Sequence, residues 1–462
     1  MNSHDRPLTG IRVVDFTHVF AGPTCSRILA DLGADVIRFE SPNRLDVTRN
    51  LIITDNDGKD EPWHRASYFI IRNANKREMM IDLAKPEGIE IVRKLIATAD
   101  VVAESFTPRV MAQFGLAYTD LVNIKRDVIM ISLSGYGQDG PMRDYGAYGM
   151  GLEPASGISS ITGYRDGPPM RSGLSFTDPY SGFIGAGAVL TALAYRRRTG
   201  KGQYIDLSEQ EAAIPVMGAA LMEYQMTGRL PKRLGDRSDW AAPQGCYRCA
   251  GEDRWAVISC GNDEEFARMA EAMGHAGWVT DDRFATVTAR FEHHDELDAL
   301  ITEWTSQRSP YDVMHTLQAA GVKAAAVLDG RDILFDPHFK ARKQFDIIEQ
   351  PVVGRRPVQK HTAARFTRFE TSPYRHSPLV GEHNEEVLKE LGYSDEEIAK
   401  LSDEKVIARQ PQMAVPPALV SMALKLPYQF YVPTGILLRV DEDYREQLGI
   451  ADEPDSDAPK SG

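Results

Sequence analysis

With 462 residues and 42% hydrophobic side chains, the chain exceeds the roughly 250–300 residues at which single cores stop growing, so two domains are expected. A formal net charge of −13 argues against a nucleic-acid partner recruited by charge, since phosphate binding calls for clustered Lys and Arg. No run of about 18 uninterrupted apolar residues occurs, and the opening residues, with Pro7, lack a signal-peptide core, so the expectation is a cytoplasmic chain with no membrane partner.

Residues 10–40 read as strand, tight turn, helix, strand: an apolar run over 11–16, the turn Ala21-Gly-Pro23, a helix over 24–32 and a strand over 35–39. A strand followed by a helix and another strand is the unit of a parallel sheet covered by helices. The unit recurs as helix 86–98 with strand 101–104 and helix 110–114 with strand 128–132, which predicts a doubly wound α/β domain. Small residues throughout 182–195 predict a tightly packed helix, ended by the cationic Arg196-Arg-Arg198 and a glycine C-cap. A strand over 204–207 and a helix over 209–227 follow. From about 228 to 335 the character changes: Trp240, Trp255, Trp278 and Trp304 cluster there, with short strands at 246–249 and 254–260. The expected division is a large domain from 1–227, a smaller α+β domain from 228–335, a return to the large domain with a C-terminal extension over 336–450, and a disordered tail over 451–462.

Two motifs are set aside. Cys246 and Cys249 form one C-x-x-C without the second ligand pair a structural zinc needs, so no metal is expected, and four cysteines in all fit a reducing compartment. Gly135-Tyr-Gly-Gln-Asp-Gly140 matches the dinucleotide fingerprint, but Pro141 follows where the phosphate-cradling helix should begin.

Several stretches resemble the class III coenzyme A transferases, which include formyl, carnitine and benzylsuccinate CoA-transferases and, more distantly, α-methylacyl-CoA racemases. They are Val14-Asp-Phe-Thr-His-Val-Phe-Ala-Gly-Pro23, Leu32-Gly-Ala-Asp-Val-Ile37, Asn75-Lys-Arg77, Asp82-Leu-Ala-Lys-Pro-Glu-Gly88, Ala99-Asp-Val-Val-Ala-Glu-Ser-Phe106, Ser134-Gly-Tyr-Gly-Gln138, Thr162-Gly163, Gly167-Pro-Pro169, Thr199-Gly-Lys-Gly-Gln203 and Gly381-Glu-His-Asn-Glu-Glu386. The resemblance runs from about residue 8 to 406. It implies a Rossmann-like large domain built from both chain ends, a small domain, and two subunits threaded through each other as an interlocked dimer. It also implies that an acyl-CoA and a carboxylic acid are the substrates, with coenzyme A present as a thioester substrate and no permanent cofactor. The subunit would work as a homodimer or as a heteromer with a related subunit.

In such relatives the acyl end meets a carboxylate between the Gly-Pro-Pro and Thr-Gly-Lys-Gly-Gln elements, and Asp178 is the only carboxylate in 171–182. Moving coenzyme A between acids requires breaking a thioester without losing the acyl group to water. A shielded carboxylate achieves this by forming a mixed anhydride. Gly173, Pro179 and Gly182 would let backbone come close, nearby N–H groups could hold the oxyanion, and a helix start would favour the negative charge. A plain N-cap role for Asp178 is the competing local reading. By position in the family, His18, Val19 and Phe20 would flank pantetheine, Ile81, Ser105, Phe106, Gln113 and Phe114 would surround adenosine, and Lys85 and Arg109 would pair with phosphates.

The racemases need acid/base groups on both faces of the α-carbon, commonly a His after the Gly-Pro element with an Asp. No His lies between His64 and His275, which favours acyl transfer. An acyl-CoA racemase or isomerase and a noncatalytic subunit remain the alternatives. Phe20 and Gly149 or Met150 stand where formyl-transferring relatives carry an assisting Gln and Glu, so oxalate is not expected. Phe20, Tyr136, Tyr145, Tyr148 and Met150 suggest an apolar acceptor pocket for an aryl or branched dicarboxylate, with succinyl-CoA a candidate donor.

Overall fold

The structure, a computed structural model, describes residues 6–51, 61–412, 432–433 and 437–450. The expected disordered tail over 451–462 and nearly all of the aromatic stretch at 426–433 lie outside the described residues. The chain divides into two compact units, one of Met1–Ser156, Gly173–Met217 and Lys343–Gly462, the other of Gly157–Ser172 and Gly218–Arg342.

The first unit is organised on six parallel strands: β1 (Arg12–Phe16), β2 (Asp35–Glu40), β3 (Arg77–Met80), β4 (Val101–Glu104), β5 (Ile129–Ser134) and β6 (Tyr204–Ser208), in the order β3-β2-β1-β4-β5-β6. Alternate side chains leave opposite faces of a strand, so neighbouring residues feed different cores. Val14, Ile37, Val102 and Met130 pack on one face with α3 (Pro86–Thr98). Val13, Val36, Ala103, Ile131 and Leu133 pack on the other with α1 (Ala21–Asp31) and the long α8 (Thr177–Thr199). Strands buried on both faces read as continuous apolar runs, which is why β1, β2, β4 and β5 were legible in the sequence, whereas the charged Arg77-Glu78 hid β3. The remaining helices of this unit that bear on the site are α2 (Ser67–Asn73), α4 (Arg109–Gln113), α5 (Tyr118–Ile124), α6 (Gly149–Ala155) and α9 (Glu209–Ala213), while α7 (Ile158–Ile161) belongs to the second unit. A β-hairpin of β10 (Phe345–Gln350) and β11 (Gly354–Gln359) also belongs to the first unit, as do the helices Asn384–Glu390 and Asp395–Asp403, whose Val387, Leu388, Ile398 and Leu401 join the α3-side core.

Two elements depart from expectation. α8 begins at Thr177, five residues before the small-residue run, because Pro179 in the first turn needs no intrahelical N–H bond. The continuous helix expected over 209–227 breaks: α9 ends at Ala213, a 3₁₀ turn spans Ile214–Met217, and α10 covers Gly218–Thr227. Pro215 would remove an interior hydrogen bond and clash with the carbonyl four residues earlier.

The second unit holds the antiparallel sheet β7 (Gln244–Arg248), β8 (Trp255–Ser259) and β9 (Lys323–Ala326). Ala256 and Ile258 of β8 join Phe266 and Met269 from α11 (Asp263–Ala272), Leu297, Ile301 and Trp304 from α13 (His294–Thr305), and Val313 and Leu317 from α14 (Pro310–Ala319); α12 (Val287–Glu292) lies between. The 157–172 segment, which the sequence reading leaves in the large domain, belongs here, where Arg233 donates to the carbonyls of Ser160 and Gly167.

Candidate active site

The order in which strands are added reverses between β1 and β4, which run parallel, and the crevice at their carboxyl ends is where open α/β sheets bind ligands. The loop after β1 (residues 17–20) is pinned there through its backbone. Asp15 accepts from the Thr17 N–H at 2.9 Å, Arg38 donates to the Thr17 carbonyl at 3.1 Å, and Asp46 accepts from the Val19 N–H. Val19 has φ +70°, a left-handed conformation strained for a β-branched residue, so these bonds hold a costly turn. Ser105, just past β4, ties the two loops together by accepting from His18 N–H at 2.9 Å and donating to its carbonyl at 3.3 Å. Phe106 meets the His18 ring edge-on at 5.6 Å. Beneath lies a buried charge lattice: Lys76 reaches Asp15 at 3.2 Å, Arg38 reaches Asp46 at 2.8 Å, and Arg49 reaches Glu40 at 2.7 Å and Glu78 at 2.5 Å.

Asp178 is the second residue of α8 and not its cap, a place held by Phe176 without a side-chain bond. Asp178 is 8% exposed and lies in the first turn of a 23-residue helix, where the helix dipole favours a negative charge. Close packing on α1 sets its position. A methyl group on Gly182 would lie 2.6 Å from the Ala21 carbonyl oxygen, and one on Gly185 would lie 2.9 Å from Leu133. The carboxylate itself occupies space that only glycine leaves open, since a Cβ at Gly149 would fall 2.1 Å from Asp178 Oδ1. Gly173, by contrast, has nothing within 4 Å of its added Cβ, so the close approach expected there comes from Gly149 instead.

Around Asp178 stand Glu153 of α6, Glu209 of α9, and Arg72 and Tyr68 of α2. Burial pushes the Asp178 carboxyl up to about 6, against the pull of a Glu209 hydrogen bond and the Arg72 charge, with Glu153 adding to the rise. Burial also lifts Glu209 well above the usual carboxylate range, with the Asp178 charge and hydrogen bond raising it further. Glu153 is fully buried and accepts the Phe176 N–H at 3.2 Å, fixing the chain entering α8. Arg72 stacks 3.6 Å from the ring centroids of both Phe20 and Tyr68 and connects the pinned β1 loop to the Asp178 cluster. This arrangement can hold a carboxylate anionic at neutral pH yet largely away from water.

The structure brings His18, Val19, Phe20, Ser105 and Phe106 together at the switch point, with Asp178 linked to Phe20 through Arg72. Other expected contacts sit differently. Ile81 is 1% exposed in the core, its backbone forms an isolated antiparallel bridge with Ile407, and Phe114 packs against the same core. Lys85 is engaged by the Glu404 carbonyl. Arg109 and Gln113 lie exposed on α4. Tyr145, Tyr148 and Met150 are 60%, 64% and 57% exposed, whereas Phe20 is buried. Arg72, Tyr68 and Glu209 were missed by sequence reasoning. Glu209 directly follows a strand, but nothing local shows which carboxylate it meets. Among the described residues, no cluster of three or more His, Cys, Asp or Glu is placed to hold a metal ion.

A parallel 3-2-1-4-5-6 sheet with a buried carboxylate in the first turn of a helix describes a doubly wound α/β protein with a crevice of the kind that such sheets use for ligands. The comparisons with known proteins agree. Residues 8–384 match CoA-transferase family III. The chain is 35% identical, over 87% of its length and 98% of the relative, to a succinyl-CoA–D-citramalate CoA-transferase of Chloroflexus aurantiacus. It is 33% identical, over 85% of its length and 97% of the relative, to a succinate–glutarate CoA-transferase of Agrobacterium fabrum. A solved CaiB/BaiF family protein from Brucella suis superposes with a TM-score of 0.76 at 34% identity, covering 84% of this chain and all of that one. The chain belongs to CoA-transferase family III and is an enzyme that transfers coenzyme A.

Proposed function

We propose that this enzyme moves coenzyme A from an acyl-CoA donor to a carboxylic acid through a mixed anhydride on Asp178. An Asp178 oxygen attacks the thioester carbonyl, a C–O bond forms, and the C–S electron pair leaves with the coenzyme A thiolate. The thiolate then attacks the aspartyl carbonyl, releasing the donor acid as its carboxylate and leaving an aspartyl thioester, which the acceptor carboxylate resolves by the reverse sequence. The observation that carries this reading is the burial of Asp178 beside Gly149 at the start of α8, which supports an ionised yet water-poor carboxylate.

His18, Val19, Phe20, Ser105 and Phe106 form the coenzyme A side of the site, with the pantetheine arm passing the pinned β1 loop. Arg109 and Gln113, exposed on α4, would meet its nucleotide end. A dicarboxylic donor such as succinyl-CoA and a branched dicarboxylate acceptor fit the relatives' names and the aromatic side chains Tyr136, Tyr145 and Tyr148 near α6. Reduced thiols and the lack, among the described residues, of a helix able to cross a membrane support work in the cytoplasm.

The large domain built from both chain ends would interlock with a second copy or a related subunit. No residue of α10 is buried, although Leu221, Met222, Tyr224 and Met226 lie on it, and apolar patches of this kind mark subunit interfaces.

Incubation with an acyl-CoA, hydroxylamine quenching and peptide mass spectrometry test the reading. The expected product is a hydroxamate on Asp178, absent from Asp178→Ala together with all transfer. A hydroxamate on another residue, or solvent deuterium entering the α-carbon without an acceptor acid, would falsify it.

A further inference from the structure

Resting on that reading, we infer that Glu209 is a positioning residue whose protonated carboxyl donates a hydrogen bond to Asp178, so that the two share one proton in the active enzyme. The geometry is that of a built dyad. Glu209 opens α9 directly after β6 and is 9% exposed. The start of α9 is held by Ser208, which accepts the Glu211 N–H, by Gln210 N–H donating to the Gly135 carbonyl at 3.0 Å, and by Gln210 Nε2 donating to the Ala155 carbonyl at 2.7 Å. α9 packs against both α8 and α6, and its first side chain is in hydrogen-bond contact with Asp178.

The groups facing the dyad are Glu153 from α6 and Arg72 and Tyr68 from α2. Glu153 and Glu209 therefore both face Asp178, and the Arg72 guanidinium faces Asp178 and Asp46. Two carboxylates in hydrogen-bond contact cannot both ionise, so one keeps a proton. Glu209 is the member lifted furthest, first by burial and then by the Asp178 charge, while Asp178 is drawn back by Arg72 and by the hydrogen bond it receives. At neutral pH the pair is an Asp178 carboxylate accepting from the Glu209 O–H.

This arrangement has two chemical consequences. The oxygen held by Glu209 is fixed, which leaves the other free to attack. After acylation the held oxygen becomes the carbonyl of the aspartyl half of the anhydride, and the same O–H polarises it toward attack by the coenzyme A thiolate. No proton leaves Glu209 in either step, and the electron pairs move as in the anhydride scheme. One-proton sharing also predicts a bell-shaped pH profile: a second proton silences Asp178 on the acid side, and loss of the Glu209 proton removes the donor on the alkaline side.

The test compares pH profiles of kcat/KM, and the hydroxamate yield at Asp178, for the wild type, Glu209→Gln and Glu209→Leu. The amide of Glu209→Gln still donates but does not titrate, so the alkaline limb should vanish with kcat reduced no more than about tenfold. Glu209→Leu should lose about 10²–10³-fold in kcat, as for removal of an oxyanion donor, with KM for the acyl-CoA unchanged. An alkaline limb retained in Glu209→Gln, or wild-type kcat in Glu209→Leu, overturns the assignment of Glu209 while leaving the anhydride intact. Absence of the wild-type hydroxamate overturns both. Should Glu209→Leu fail to fold, the Glu209→Gln profile decides alone.

Discussion

Asp178 sits in surroundings that favour its function over its stability. Its ordinary carboxyl value is 3.8, and burial raises it to about 6 in the folded chain. The folded state therefore binds a proton more tightly than the unfolded state between those values, and the contribution present below pH 3.8 is lost as pH rises through about 6. At pH 7 the ionised side chain costs the fold on the order of 2–3 kcal/mol, since each unit is about 1.4 kcal/mol. Asp178→Asn should accordingly raise the urea midpoint at pH 7 while removing transfer, and the gain should shrink at pH 4. A lower midpoint at both pH values would mean that the site is not destabilised by its charge. The flanking motifs singled out Asp178 as the expected nucleophile. That Gly149 leaves room for its side chain and that Glu209 lies against it was not legible, because those contacts join residues about 30 positions away on either side through tertiary packing.

At the scale of elements, the α1–α8 contact does most to place Asp178. Gly182 and Gly185 face α1 and β5, whereas Gly187 is exposed with nothing within 4 Å of an added Cβ. The same helix thus offers an internal comparison. Gly182→Ala should destabilise by about 1–3 kcal/mol through overpacking against the Ala21 carbonyl and lower kcat as the first turn of α8 moves. Gly187→Ala should stabilise by roughly 0.5–1 kcal/mol, because alanine loses less backbone freedom in a helix interior. Chemical denaturation with parallel transfer assays reads both, and equal effects at the two positions would refute the packing argument. The sequence reading identified 182–195 as a tightly packed helix from its composition, but placed its start too late to include Asp178.

For the whole molecule, α10 bears the clearest sign of an assembly. Met226 is 76% exposed and Met222 52% on a helix with no buried residue, and transferring such side chains out of water is worth about 1.5–3 kcal/mol each. Sedimentation should return a mass of at least two chains. The double variant Leu221→Glu and Met222→Glu should reduce it to one, with activity lost in step. A wild-type chain that sediments as a monomer at micromolar concentration would contradict the proposed assembly.

The sequence by itself determined the doubly wound α/β class and the family resemblance, because strands buried on both faces leave continuous apolar runs and family motifs are local strings of residues. Periodicity also located β1, β2, β4 to β8, α1, α3 and α4 to within a few residues, failing where prolines at 179 and 215 altered helix boundaries. Only the tertiary structure decided which carboxyls lie against Asp178, which glycine leaves room for its side chain, and that Ile81 lies in the core while Lys85 is occupied by Glu404. The physical reason is that hydrogen bonds, desolvation and steric exclusion depend on distances between side chains, and the fold sets those distances across wide gaps in sequence.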